Sequence, residues 1–164
     1  MSDHVSRMLS EARDRLHDAD ILATSLRAAS DSAALLRILA LEVLLKAAVH
    51  SANSTYKRNH NYAALWEALA PEVTAAVLRA SDQADPGRLS VEAIPSLLKN
   101  WEFVFKKARY YYEFYENYSL AEQAELGELW LSLGAPEGEA EVRYLPSELR
   151  ALTAGLLAHL DNVA

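Results

Sequence analysis

The 164-residue chain has no cysteine, only five glycines and five prolines, and no lysine or arginine between Glu113 and Glu141. Without cysteine there is no disulfide framework, no thiolate nucleophile and no Cys-ligated zinc or iron–sulfur site. So few glycines do not suit an all-β chain with its many turns, nor a glycine-rich phosphate loop. No apolar run reaches the about 20 residues needed to span a bilayer. The most apolar stretch, 35–49, is interrupted by Arg37, Glu42 and Lys46. The N-terminus has no apolar signal-peptide core, so a cytoplasmic protein without a membrane partner is expected. What is present is a 51% hydrophobic composition, enough for one self-sufficient core that buries roughly 70% of the unfolded surface.

The charge is uneven. The net value is -7, yet the segment 113–141 carries eight acids, and the rest of the chain sums to +1. Cations gather at Lys57-Arg58, Lys99, Lys106-Lys107 and Arg109. They form either ordinary solvated helix faces or a small basic site able to hold a phosphate or a short nucleic-acid segment. Six scattered cations are too few for tight non-specific DNA binding, which draws on many phosphate contacts. The acid-only stretch is a candidate surface for a basic partner.

Apolar residues recur at threes and fours in every long segment, and none alternates with period two. The spacing predicts a helix over 2–29, a second over 32–51 capped by Asp31-Ser32, and a third from Tyr62 to about Ala80 that Pro71 kinks or restarts. A turn-rich loop follows over 81–88. A fourth helix is expected over 95–117, a fifth after the capping box Ser119-Leu120-Ala121-Glu122, and a last one from Pro146 to about Asp161. The fold class is therefore all-α: an up-and-down helical bundle of five or six helices in a single domain, 1–164.

Two helices have unusual faces. Segment 32–51 is apolar almost all round and should be the central helix, with Glu42, Lys46, His50 and Asn53 on one narrow stripe. Either Glu42 and Lys46 form a plain i,i+4 pair, or the stripe faces a cleft or partner. In the fourth helix, Leu97, Trp101, Val104, Phe105, Ala108, Tyr112 and Tyr115 make one apolar face, and Phe103, Tyr110 and Phe114 a second. Glu102, Lys106, Arg109 and Glu113 form a charged ladder along a flank. A helix aromatic on two faces implies core packing plus a dimer interface, or a ligand site where bases stack on tyrosine.

The run Leu41-Glu42-Val43-Leu44-Leu45-Lys46-Ala47-Ala48, the connector Tyr56-Lys57-Arg58-Asn59-His60-Asn61-Tyr62, and Leu65-Trp66-Glu67-Ala68-Leu69 together resemble HEPN domains, the higher eukaryote and prokaryote nucleotide-binding helical proteins. Ala108-Arg109-Tyr110-Tyr111-Tyr112-Glu113 is similar to an Arg-Tyr-x-x-Glu element of some members. The resemblance covers about residues 30–118. It implies a helical bundle that forms a homodimer, an RNA or nucleotide ligand, and a nucleotidyltransferase or antitoxin partner in a toxin–antitoxin or defence system. Active relatives are metal-independent ribonucleases with an arginine, four to six residues, and then a histidine. No pair here has that spacing: Arg13 and His17 have three residues between them, Arg58 and His60 one, and Arg109 is followed by no histidine until His159. Three readings follow: a binding module without the nuclease motif, a ribonuclease built on Arg109, Glu113, His60 and Lys46, or a purely structural dimerisation protein. The ligand or interface candidates are Glu42, Lys46, His50, Lys57, Arg58, His60, Lys106, Arg109, Tyr110 and Glu113. His60 alone reads as a helix cap or loop-packing residue, and His4, His17 and His159 as surface residues. No metal-ligand or cofactor motif is present, and no metal or cofactor is expected.

Overall fold

A computed structural model describes residues 2–25, 30–53, 55, 59–135, 140 and 142–163. Among them there is no strand, and there are seven α-helices. They are α1 (Asp3–Ser25), α2 (Asp31–Asn53), α3 (Tyr62–Glu67), α4 (Pro71–Ala84), α5 (Ile94–Lys107), α6 (Leu120–Ser132) and α7 (Pro146–Asn162), with a 3-10 segment, Ala108–Tyr115, continuing from α5. No helix among the described residues is long and apolar enough to cross a membrane.

The all-helical class agrees with the sequence expectation; among the described residues the count exceeds it by the helix that Pro71 begins, and that helix also runs further than expected. Pro71 does not merely kink the third helix; its ring occupies the first turn of a new one, where the missing N–H costs nothing. The turn expected from Ser81 is helical to Ala84, because Ser81 returns its hydroxyl to the Val77 carbonyl and stays inside the helix. Ser30, rather than Asp31-Ser32, caps α2, its Oγ accepting from the Ala33 amide at 3.2 Å. The capping box at Ser119 forms as expected, and the two bonds from Ser119 hold the Glu122 carboxyl below its ordinary range.

α2 is the central helix. Ile38, Leu41, Leu44, Leu45 and Ala47 are fully buried, and it packs on α1, α7, α3 and α5. α1 runs antiparallel to it, tied by Arg37 to Asp20 at 2.8 Å and, at the other end, by the edge-to-face rings of His4 and His50. Trp101 anchors α5 in the core and donates its indole N–H to the Tyr144 carbonyl, so the approach to α7 is pinned to α5.

The expected fourth helix ends early. α5 stops at Lys107, the backbone tightens into the 3-10 segment, and Tyr110 leaves helical geometry at φ -117° and ψ 52°. The apolar face predicted through Tyr115 therefore does not continue: Leu97, Trp101 and Val104 are buried, whereas Tyr112 is 71% exposed. The Ala108 side chain lies outside what is described. α6 buries none of its residues.

Two helix-interior glycines set up a contrast. A Cβ on Gly155 would sit 2.1 Å from Ser81 Oγ and 2.5 Å from the Val77 carbonyl, so the glycine lets α7 lie against α4. A Cβ on Gly127 in α6 would meet nothing. Gly155→Ala should therefore destabilise the fold by about 1–3 kcal/mol, while Gly127→Ala should stabilise it by about 0.5–1 kcal/mol. Thermal melts should show shifts of opposite sign.

His159 is half-buried in α7, a departure from the surface position expected of it. Burial pushes its imidazole pKa below the ordinary 6.5. The unfolded state then binds the proton more readily, so His159 favours unfolding as the pH falls through about 6.5. Urea titrations across this window should show wild type losing more stability on acidification than His159→Gln.

Candidate functional site

The site is built around one carboxylate. Glu42, in the middle of α2, is 3% exposed, a position that strongly penalises an unpaired charge. It is compensated from two directions. One turn along α2, Lys46 donates its ammonium to Oε1 at 2.5 Å. From the connector before α3, His60 Nδ1 lies 2.9 Å from Oε2 and 3.0 Å from Oε1, and the Tyr62 hydroxyl donates to Oε2 at 3.0 Å. The Tyr62 phenol pKa is driven far up, first by burial and then by the adjacent Glu42 charge, so Tyr62 stays a hydrogen-bond donor.

Local sequence explains why the connector can reach Glu42. Asn61, not His60, is the N-cap of α3: its side chain accepts from the Ala64 amide at 2.8 Å. Glu102 of α5 accepts from the Tyr62 amide at 3.2 Å and so docks α3 onto α5. With the cap supplied by its neighbour, His60 is available to turn toward α2.

A carboxylate facing Nδ1 favours the tautomer with the proton on that nitrogen, in which Nε2 is the acceptor. The His60 side chain is 49% exposed, unlike the Glu42 that grips it. Its ring packs on Phe105, centroids 5.0 Å apart, and the Arg109 guanidinium lies over the same Phe105 ring at 5.3 Å and over Tyr110 at 4.9 Å. His60 and Arg109, far apart in sequence, are thus separated by a single phenyl ring. A separate open groove of about 510 Å³ between α3 and α5 is lined among others by Asn61, Lys99, Phe103, Lys106 and Lys107 and by the carboxylates Glu67 and Glu102; His60, Phe105 and Arg109 are not among its lining residues. Lys106 is paired with Glu102.

Of the sequence candidates, Glu42, Lys46 and His60 come together directly, with Arg109, Tyr110 and Lys106 beside them. His50 does not join them; it stacks on His4. Glu113 is exposed, and among the described residues it has no ion-pair partner, so the ladder expected along the fourth helix is limited to Glu102–Lys106. Lys57 and Arg58 lie outside the described residues. Sequence reasoning missed Tyr62, Phe105 and Glu102 as site residues. Tyr62 could have been found from its place two residues after His60 at a helix start, but the part played by Phe105 depends on tertiary packing. No group of three or more His, Asp or Glu side chains among the described residues could hold a metal ion.

Comparison of the chain with protein-family models, curated proteins and solved structures finds no match.

The two ion pairs at this site should differ sharply in worth. Glu42→Ala removes the buried carboxylate that Lys46, His60 and Tyr62 share, and should cost about 3–5 kcal/mol. Lys106→Ala removes an exposed partner and should cost less than about 1 kcal/mol. Urea unfolding of the two variants checks the ratio.

Proposed function

We propose that the chain is a HEPN-like, RNA- or nucleotide-associated module that binds an anionic phosphate group where His60 and Arg109 meet on the Phe105 ring. The observation that carries this reading is the arrangement of His60. Its Nδ1 is fixed by a buried carboxylate, its other nitrogen is directed away from that anchor, and an arginine shares its aromatic platform. Lys99, Lys106 and Lys107 add positive charge on the groove wall, and exposed Tyr110 and Tyr112 offer faces for base stacking. The same exposed rings support homodimerisation near the 3-10 segment, in keeping with a module of toxin–antitoxin or defence type.

A second reading, metal-independent ribonuclease activity, is favoured by the His60–Glu42 pair itself. A neutral imidazole oriented through Nδ1 can take the proton of a ribose 2′-hydroxyl at Nε2 as that oxygen attacks phosphorus. The bond from phosphorus to the 5′-oxygen of the next nucleotide breaks, leaving a 2′,3′-cyclic phosphate, and the departing 5′-oxygen takes a proton from water. Arg109 faces the charge gathering on the phosphorane. The sequence spacing of the nuclease motif is absent, yet the fold supplies a histidine and an arginine on one ring.

Fluorescence anisotropy with a short labelled single-stranded RNA, in EDTA and across a salt series, tests the first reading. Binding should weaken with salt, and Arg109→Ala should raise Kd about tenfold, roughly 1.4 kcal/mol. No binding at low salt would sink it. The same samples, analysed for cleavage, decide the second reading: metal-free cleavage lost in both His60→Gln and Arg109→Ala would establish an enzyme, and intact RNA would exclude this activity on that substrate.

A further inference from the structure

Away from the His60 site, the 3-10 segment and α6 enclose an open apolar groove of about 520 Å³. It is lined by Phe114 and Val142, by Leu126, Gly127 and Trp130 of α6, and by Leu133 at the C-cap of α6. Leu133 is 64% exposed, and Leu126 and Trp130 are also exposed, an unusual concentration of large apolar side chains left to water.

Three features say what would cover it. The first is Gly127. A glycine inside a helix is unfavourable relative to alanine, and at Gly155 the neighbouring α4 explains it. Among the described residues no atom comes within 4 Å of a Cβ built on Gly127, so its missing side chain leaves open space on this face. The second is shape: Leu126 and Trp130 of α6 and Leu133 at its C-cap recur at helical spacing, forming a stripe that a second helix can pack along. The third is charge. Glu116, Glu122, Glu125 and Glu128 are exposed around this part of the chain, and the whole stretch 113–141 contains no cation. A two-fold contact of this face with itself would set acids against acids, so charge disfavours a second copy and favours a cationic occupant.

We propose that the groove between the 3-10 segment and α6 docks an amphipathic helix of a partner protein, with an apolar stripe seated over Gly127 and lysines or arginines facing the surrounding glutamates. This is the helix-in-groove mode, with the apolar stripe supplying affinity and the acids selecting the sign of the partner.

The test uses labelled helical peptides with the full chain. One carries leucines at i, i+3, i+4 and i+7 with lysines elsewhere, a second has the same composition in scrambled order, and a third replaces every lysine with glutamate. Anisotropy should show the first binding at least tenfold tighter than either control, and Gly127→Gln should weaken it at least tenfold. α6 buries none of its residues, so the variant should keep its fold, checked by circular dichroism. Equal binding of the ordered and scrambled lysine peptides would overturn the proposal, as would Gly127→Gln leaving Kd unchanged. Light scattering supplies a further arm: self-association of the wild type that Gly127→Gln abolishes would assign the groove to a second copy and overturn the proposal.

Discussion

A charged carboxylate in the middle of the central helix constrains much of what surrounds it. Glu42 lies on α2 where the neighbouring positions are apolar and buried, so it requires donors it cannot all obtain from its own helix. Lys46 provides one. The others come from outside α2: His60, just before α3, and Tyr62, the first residue of α3, both turn toward Glu42. The docking of α3 on α5 through Glu102 extends the same polar network. A site that holds a histidine in one orientation is thereby a by-product of satisfying a buried charge.

That network is asymmetric, and the asymmetry is what separates it from simple core polarity. Its inner members, Glu42 and Tyr62, are enclosed, while His60 is open on its far side. A purely structural pair would be as well served by a fully enclosed histidine. Here the rigid inner shell leaves the ring's outer nitrogen on the side where Phe105 and Arg109 gather.

Much of this was legible in the residues themselves. The nearly all-round apolar character of 32–51 identified the central helix, and the capping box at Ser119 fixed the start of α6. The stripe through Glu42 and Lys46 pointed to the site, because a charge on an otherwise apolar helix demands an explanation. His50 shares that stripe but lies two turns further on, where α1 rather than α3 is the neighbour, and periodicity alone carries no information about which helix is opposite. The end of α5 was illegible for a related reason. The apolar face of 97–115 is well formed on a helical wheel, but a wheel does not show that the core ends near Val104. Beyond that point the aromatic side chains gain little from α-helical packing and lose rotamer freedom in it, and the tighter 3-10 turn prevails.

The break at Lys107 has an electrostatic consequence as well. In an unbroken helix Arg109 and Glu113 would be i,i+4 neighbours, and the guanidinium would be drawn along the helix toward a carboxylate. With the helix interrupted, the two are not paired, and Arg109 lies instead across Phe105 and Tyr110. The sign of charge changes at the same point, from Lys99, Lys106 and Lys107 before it to Glu113 and Glu116 after it. One local departure from helical geometry thus lies between the lysines of α5 and the acidic stretch leading into α6. A net charge of -7 describes neither end, and within a Debye length of about 10 Å at moderate salt a ligand responds to the local sign rather than to the sum.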